Sequence, residues 1–238
     1  RGNKIHRITP RLNDEVNSAW MPDSHRLNFH YIDSASRLTE PLAKTAANHS
    51  ATTWSAALAE AASRIKAVPA AQVAIIASGR MTNEELFLAR TLAAEIGTTQ
   101  LSLVPRTAEA DALLVAADRN PNTTGAKLVL ETEDPYAKLD SIREGVRNGS
   151  IKTLIVLGED LITDAGFTAD DLQKLDFLVQ SSVLANPTAD QAHLVLPSAA
   201  FAEKRGSMVN LSGRLQRLNR VVELTGQAHD DWEILRDL

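Results

Sequence analysis

Two stretches of this 238-residue chain carry residues able to hold a charged ligand, and they lie far apart in the sequence. The first, Ser78-Gly79-Arg80-Met81-Thr82-Asn83-Glu84-Glu85, follows an apolar run and opens a helical pattern. A turn so placed offers free backbone amides and the positive end of a helix dipole, which favour an anion such as a phosphate. Gly79 is the lone glycine there, so neither the dinucleotide fingerprint nor the P-loop pattern is met, and a plain capped turn competes with a nucleotide-like site. The second stretch, Glu203 to Gln216, is denser: from Lys204 to Arg220 there are five basic residues and no acidic one. Its two glycines, Gly206 and Gly213, let the backbone turn or approach a partner closely, so the loop could meet phosphates or an acidic protein surface. A solvated basic edge strand is the alternative, because Met208, Leu211, Leu215 and Leu218 follow no single period. The two readings predict different geometry. In a shared pyrophosphate site Lys204, Arg205 and Arg214 converge near Ser78–Asn83; in a packing element Asn210 satisfies backbone groups in a turn and the basic side chains diverge into solvent.

Other chemistries find little support. His25 and His30 are five apart, a spacing that does not place two ligands on one helix face, and they read as structural or exposed. No Gly-x-Ser-x-Gly elbow presents a serine nucleophile. Cysteine is absent, which excludes disulfides, thiolate zinc sites and cysteine-ligated clusters within these residues. The formal charge of −5 offers no general attraction to nucleic acid. No run reaches the roughly 20 apolar residues of a membrane span, so direct membrane insertion is not expected.

The elements that must position these residues follow from periodicity. Trp54, Leu58, Ala61, Ala62 and Ile65 form one helical stripe ending before Pro69, and Gln72–Ala77 is a buried strand. Thr82 and Glu85 form a capping box for a helix with Leu88, Ala89, Leu92, Ala93 and Ile96 inward, closed by Gly97. Ala112–Ala116 is a second strand candidate, and Asn120–Gly125 is expected to be a loop. Asp134 and Pro135 start a helix through Leu139, Ile142 and Val146 that stops at Gly149. Thr153–Leu157 is the clearest strand; Thr168 and Asp171 open a short helix, and Phe177–Gln180 and His193–Leu196 complete the set. Alternating helix and strand from Thr53 onward indicates an α/β fold, a layered, mostly parallel sheet with flanking helices. Residues 1–45 lack such a period and form a small irregular or β lobe, leaving 46–238 as the α/β domain. Arg1-Gly2-Asn3-Lys4 reads as a hairpin turn feeding extended Ile5–Thr9 with no partner strand before it, and this implies a piece of a longer polypeptide.

The residues also resemble a known family. Arg7-x-x-Pro10-Arg11-x-Asn13-Asp14-Glu15-Val16-Asn17-x-x-Trp20-x-x-Asp23-x-x-Arg26, then Arg37-Leu38-Thr39-Glu40-Pro41 and Thr53-Trp54, resemble the large iron–sulfur subunit of respiratory NADH:quinone oxidoreductase, complex I. His193-Leu194-Val195-Leu196-Pro197, Glu203-Lys204, Asn210, Gly213-Arg214-x-Gln216 and Asp231-Trp232-Glu233-Ile234-Leu235 match its molybdopterin-oxidoreductase-like region. Thr82-Asn83-Glu84-Glu85 is shared with the wider molybdopterin family, formate dehydrogenases included. The resemblance implies 4Fe-4S and 2Fe-2S clusters upstream, none in this stretch, and a molybdopterin fold kept without its cofactor. Related molybdenum enzymes often place a cluster cysteine near the position of Met21. The implied partners are other peripheral-arm subunits of complex I, including the NADH-binding subunit, and the implied location is cytoplasmic, on the inner face of the plasma membrane in a bacterium. Ser78, Gly79, Thr82, Asn83, Lys204, Arg205, Asn210 and Arg214 are then the vestigial candidates for cofactor contact. A catalytic molybdopterin oxidoreductase such as formate dehydrogenase, and a nucleotide-binding module, are the competing readings.

Overall fold

A computed structural model describes residues 2–46 and 48–238. Its centre is a seven-stranded sheet whose buried strands carry apolar side chains on both faces. The strands are β1 (Leu42–Lys44), β2 (His49–Ala51), β3 (Val73–Ala77), β4 (Leu101–Leu103), β5 (Thr153–Leu157), β6 (Phe177–Ser182) and β7 (Leu194–Pro197), in the order β2-β1-β7-β6-β5-β3-β4. Strands β3 to β7 are parallel, and β1 joins antiparallel to β7 and to β2. The sheet therefore reaches back to Leu42, inside the region that lacked periodicity in the sequence.

Side chains of a strand point alternately to opposite faces, and each face here has its own helices. Val73, Ile75, Ala77, Ile155 and Leu157 meet helices α2 (Trp54–Lys66), α3 (Asn83–Ile96), α4 (Thr123–Leu130) and α9 (Asp231–Asp237). Ala74, Ile76, Leu154, Val156 and Leu178 meet α5 (Leu139–Asn148) and the short helices α6 (Leu161–Asp164), α7 (Ala169–Leu172) and α8 (Pro187–Gln191). The remaining pieces are α1 (Asp23–Arg26), two 3-10 turns (His30–Asp33 and Ala70–Gln72) and a two-stranded ribbon, β8 (Gly206–Val209) with β9 (Leu215–Leu218).

Local signals explain the boundaries. Thr82 accepts from the Glu85 amide while the Glu85 carboxylate accepts from the Thr82 amide, the expected capping box, and Gly97 ends α3 with φ 81°. Three expectations fail, each for a physical reason. Ala112–Ala116 is no strand: the Asp111 carboxylate accepts from the amides of Leu113, Leu114 and Val115 at 2.6–2.8 Å, which coils the apolar run into an exposed turn. The strand of that region is instead Leu101–Leu103, beside β3. Asn120–Gly125 is only half loop, since Asn122 ends it and Thr123 begins α4. Asp134 and Pro135 start an irregular turn rather than a helix, and α5 begins at Leu139 before ending at Gly149 as expected.

The first lobe is irregular, as its sequence suggested. Phe29 and Ile32 bury against Ala200, Ala202 and Val222, with Ile5 and Ile8 packed on them. Gly2 and Asn3 both have positive φ, 68° and 56°, as the expected hairpin turn requires; Arg1 lies outside the described residues. The Asn3 side chain bridges to the Glu223 backbone, donating at 3.3 Å and accepting at 2.6 Å, so this lobe is tied to the far end of the chain.

Candidate functional site

In chain order the parallel strands lie second, first, third, fourth, fifth across the sheet, so connections leave β3 and β5 toward opposite sides. Ligands of open α/β sheets bind beyond the carboxyl ends of strands at such a switch point. Here the loops after β3 (Ser78–Thr82) and β5 (Gly158–Asp160) flank it.

Ion pairs fill this crevice. Glu159, buried to 1% at the end of β5, takes a two-pronged pair from Arg106, which follows β4; one contact is 2.8 Å, between Nη1 and Oε1. Arg106 also reaches Asp164 at 2.7 Å, and Arg80 approaches Glu159 at 3.6 Å while donating to the Gly158 carbonyl at 2.9 Å. Burial alone would lower the Arg106 pKa, but the hydrogen bonds and charges of Glu159 and Asp164 outweigh it and hold the guanidinium above its ordinary value. Gln180 donates to the Glu159 carbonyl at 2.6 Å, closing the floor.

The residues nominated from sequence are placed as follows. Ser78 is buried and its Oγ accepts from the Arg80 amide at 3.1 Å. Gly79 lies so close to Asn120 that a Cβ there would fall 2.6 Å from the amide carbon, and its carbonyl accepts from the Asn122 amide. Thr82 is the α3 cap. Asn83 accepts from Asn122 at 3.0 Å and donates to Ser207 at 3.1 Å, so the turn, the start of α4 and the β8 strand form one hydrogen-bonded unit. Lys204 does come to this end of α3, but not as a phosphate ligand: it is buried, with Nζ 3.0 and 2.9 Å from the two oxygens of fully buried Glu85. Burial works to lower the Lys204 pKa, and Glu85 and Asp231 raise it above its ordinary value. Arg205 turns outward onto an open groove of about 550 Å³ walled by Phe87, Leu88 and Trp232. Arg214 pairs with Glu15 of the first lobe at 2.6 Å.

The three basic residues thus do not converge. Asn210 behaves as a turn former, its Oδ1 accepting from Ser212 and Arg214, and Gly213 sits at φ 81°. Gly206 is needed for contact: a Cβ would meet Thr82 at 2.6 Å. The expectation that the basic side chains all diverge into solvent fails at Lys204, which is sealed inside. His25 and His30 are both exposed, and no group of three metal-binding side chains occurs among the described residues.

Sequence reasoning missed Arg106, Glu159 and Asp164, and it named Arg37 and Glu203 only as parts of motifs, with no hint that the two pair. Arg37, buried before β1, pairs with fully buried Glu203, which also accepts from Ala200 and Thr225. Gly158-Glu159-Asp160 directly follows the clearest strand, and the switch-point rule would have singled it out once strand order was known.

A family model described as molybdopterin oxidoreductase matches residues 117–238, just over half of the chain and the part that supplies Glu159, Gln180, Lys204 and α9. The chain belongs to the molybdopterin oxidoreductase family. Its relatives include the NADPH-Fe(3+) oxidoreductase subunit alpha of Geobacter sulfurreducens, 37% identical over 41% of this chain and 12% of that protein. The F420-dependent formate dehydrogenase 2 subunit alpha of Methanococcus maripaludis is 38% identical over 37% of this chain and 14% of that protein. Among solved structures, acetylene hydratase from Pelobacter acetylenicus aligns at 22% identity and a TM-score of 0.38, covering 44% of this chain and 15% of that one. The matched stretch is a small part of each relative. No helix among the described residues is long and apolar enough to cross a membrane.

Proposed function

We propose that this chain is the molybdopterin-oxidoreductase-like part of the large iron–sulfur subunit of a respiratory NADH:quinone oxidoreductase, where it supports the electron path and holds no pterin. The observation that carries the reading is the closure of the switch-point crevice by the chain's own Arg106–Glu159 pair. A pterin dinucleotide would bring phosphates to the mouth of that crevice, against a buried carboxylate and without the three cations nominated for it. Among the buried polar atoms without a protein partner, Gln180 Oε1 and Asn120 Oδ1 are acceptors that a phosphate cannot use. The donors Arg26 Nε, Arg37 Nε and Nη1, and Arg220 Nε belong to guanidiniums already paired with Asp23, Glu203 and Asp230. These pairings support the reading that the residues present do not fit the group, with Arg80, half-exposed beside Glu159, the cation that remains at the crevice mouth. In this reading the 4Fe-4S and 2Fe-2S clusters lie upstream, the partners are peripheral-arm subunits including the NADH-binding one, and the location is cytoplasmic, against the inner face of a bacterial plasma membrane.

A second reading, part of a catalytic molybdopterin enzyme, is favoured by the similarity to a formate dehydrogenase subunit. Calorimetric titration with guanine dinucleotides separates the two. No saturable binding is expected; binding that weakens in Arg80→Ala, at the mouth of the crevice, would favour the catalytic reading.

A further inference from the structure

We propose that helix α9 is a proton-operated latch: Asp231 takes up a proton to grip α9 against α3 and β6, and loosens that grip when it ionises. The Asp231 side chain is only 5% exposed. Its Oδ1 accepts from Ser181 Oγ of β6 at 2.8 Å, and its Oδ2 lies 3.8 Å from Lys204 Nζ. That ammonium is already held by both oxygens of Glu85, so two buried carboxylates share one buried cation.

The surroundings do not make up the missing charge. Asp230 is bound by Arg220 at 3.2 Å and by the Trp232 indole at 3.1 Å, with its other oxygen buried and unpartnered. Glu233 accepts from the Asp230 amide, and Glu84 of α3 is spent on Ser207. Arg205 points to the open groove. His229, just before the helix, stacks on Trp54 at 4.1 Å between ring centres. An ionised Asp231 thus adds an uncompensated negative charge to a water-poor site, a cost that protonation removes.

Burial pushes the Asp231 pKa up, Lys204 opposes this and Glu85 reinforces it, leaving the value at about 6. With α9 undocked the carboxylate is solvated and returns to its ordinary range. Docking then takes up a proton between about pH 4 and pH 6; its grip is full below that window and lost above it. Ile234 and Leu235 still bury in the core, so the charged state loosens the helix rather than expelling it.

Hydrogen exchange of the full chain, corrected for intrinsic rates, tests this. Opening of residues 231–238 is expected to be about tenfold greater at about pH 7.5 than at about pH 5. Asp231→Asn, which keeps the Ser181 bond, is expected to hold α9 protected at both pH values. His229→Gln, which removes the imidazole stacked on Trp54 just before the helix, is expected to leave the pH dependence intact, and Asp230→Asn, which removes the neighbouring carboxyl that burial also pushes up, is expected to leave it intact as well. Ser181→Ala is expected to move the midpoint to higher pH, because the hydroxyl favours the ionised form. Protection of α9 that does not change with pH in the unmodified chain, a pH dependence that persists in Asp231→Asn, one that disappears in His229→Gln or in Asp230→Asn, or an unmoved midpoint in Ser181→Ala would each overturn the proposal.

Discussion

Replacing Lys204 by methionine removes the ammonium that compensates Glu85 and leaves a stem of similar length to fill the space. Glu85 has no exposed surface, and its carboxylate is pinned by the capping bond from the Thr82 amide, so it cannot turn toward water. Deleting one partner of a buried pair costs about 3–5 kcal/mol, because the survivor stays charged in a poor solvent or must bind a proton. At a urea slope of about 2–3 kcal/mol per molar, the unfolding midpoint of the 238-residue chain should fall by about 1–2 M near neutral pH. The sign with pH follows: the stranded carboxylate is harmless once protonated, so the loss should shrink below about pH 4.5 and grow as pH rises through the unfolded carboxylate pKa. Pairing Lys204→Met with Glu85→Gln should recover part of the loss, a coupling that the two single variants expose. Equilibrium urea unfolding at several pH values, followed by far-UV circular dichroism, measures all of this. A Lys204→Met loss under about 1 kcal/mol at neutral pH, or one of equal size at acid and neutral pH, would refute the reasoning.

Two further perturbations address the site and the turn that sequence misread. Gly79→Ala should cost about 1–3 kcal/mol, because the new methyl displaces the Asn120 amide from the Val104 carbonyl, and Asn120→Gly in the same chain, which removes both the amide carbon and the Cβ it would meet, should relieve the clash; thermal unfolding of the pair checks it against Asn120→Gly alone. Asp111→Ala should raise amide exchange at Leu113–Val115 while leaving the global unfolding midpoint nearly unmoved, since those three backbone bonds hold the carboxyl below its usual range and hold only an exposed turn in place.

Legibility in the sequence followed the range of the interaction. The α3 cap was readable because Thr82 and Glu85 are three residues apart, and QVAIIA and TLIVL were readable because strands buried on both faces are continuous apolar runs. ALLVA looks the same in composition, yet one carboxylate at Asp111 takes the amides of Leu113, Leu114 and Val115, and the run becomes the bend between two short stretches that pair with each other rather than with the sheet. The site was hardest. Arg106 and Glu159 are 53 positions apart and Lys204 and Glu85 are 119, so nothing local distinguishes a cation sealed into the core from one facing solvent. Lys204 was singled out for its charge and found in a buried pair instead, while Glu159 was passed over because an acid after a strand gains meaning only from strand order.

A chain that works as a scaffold without a pterin of its own leaves a direct mark on metal content. Metal analysis of the purified full-length protein tests it most directly. The account predicts iron in stoichiometric amount with molybdenum and tungsten far below one per chain. One molybdenum or tungsten per chain, accompanied by a releasable guanine dinucleotide, would contradict it.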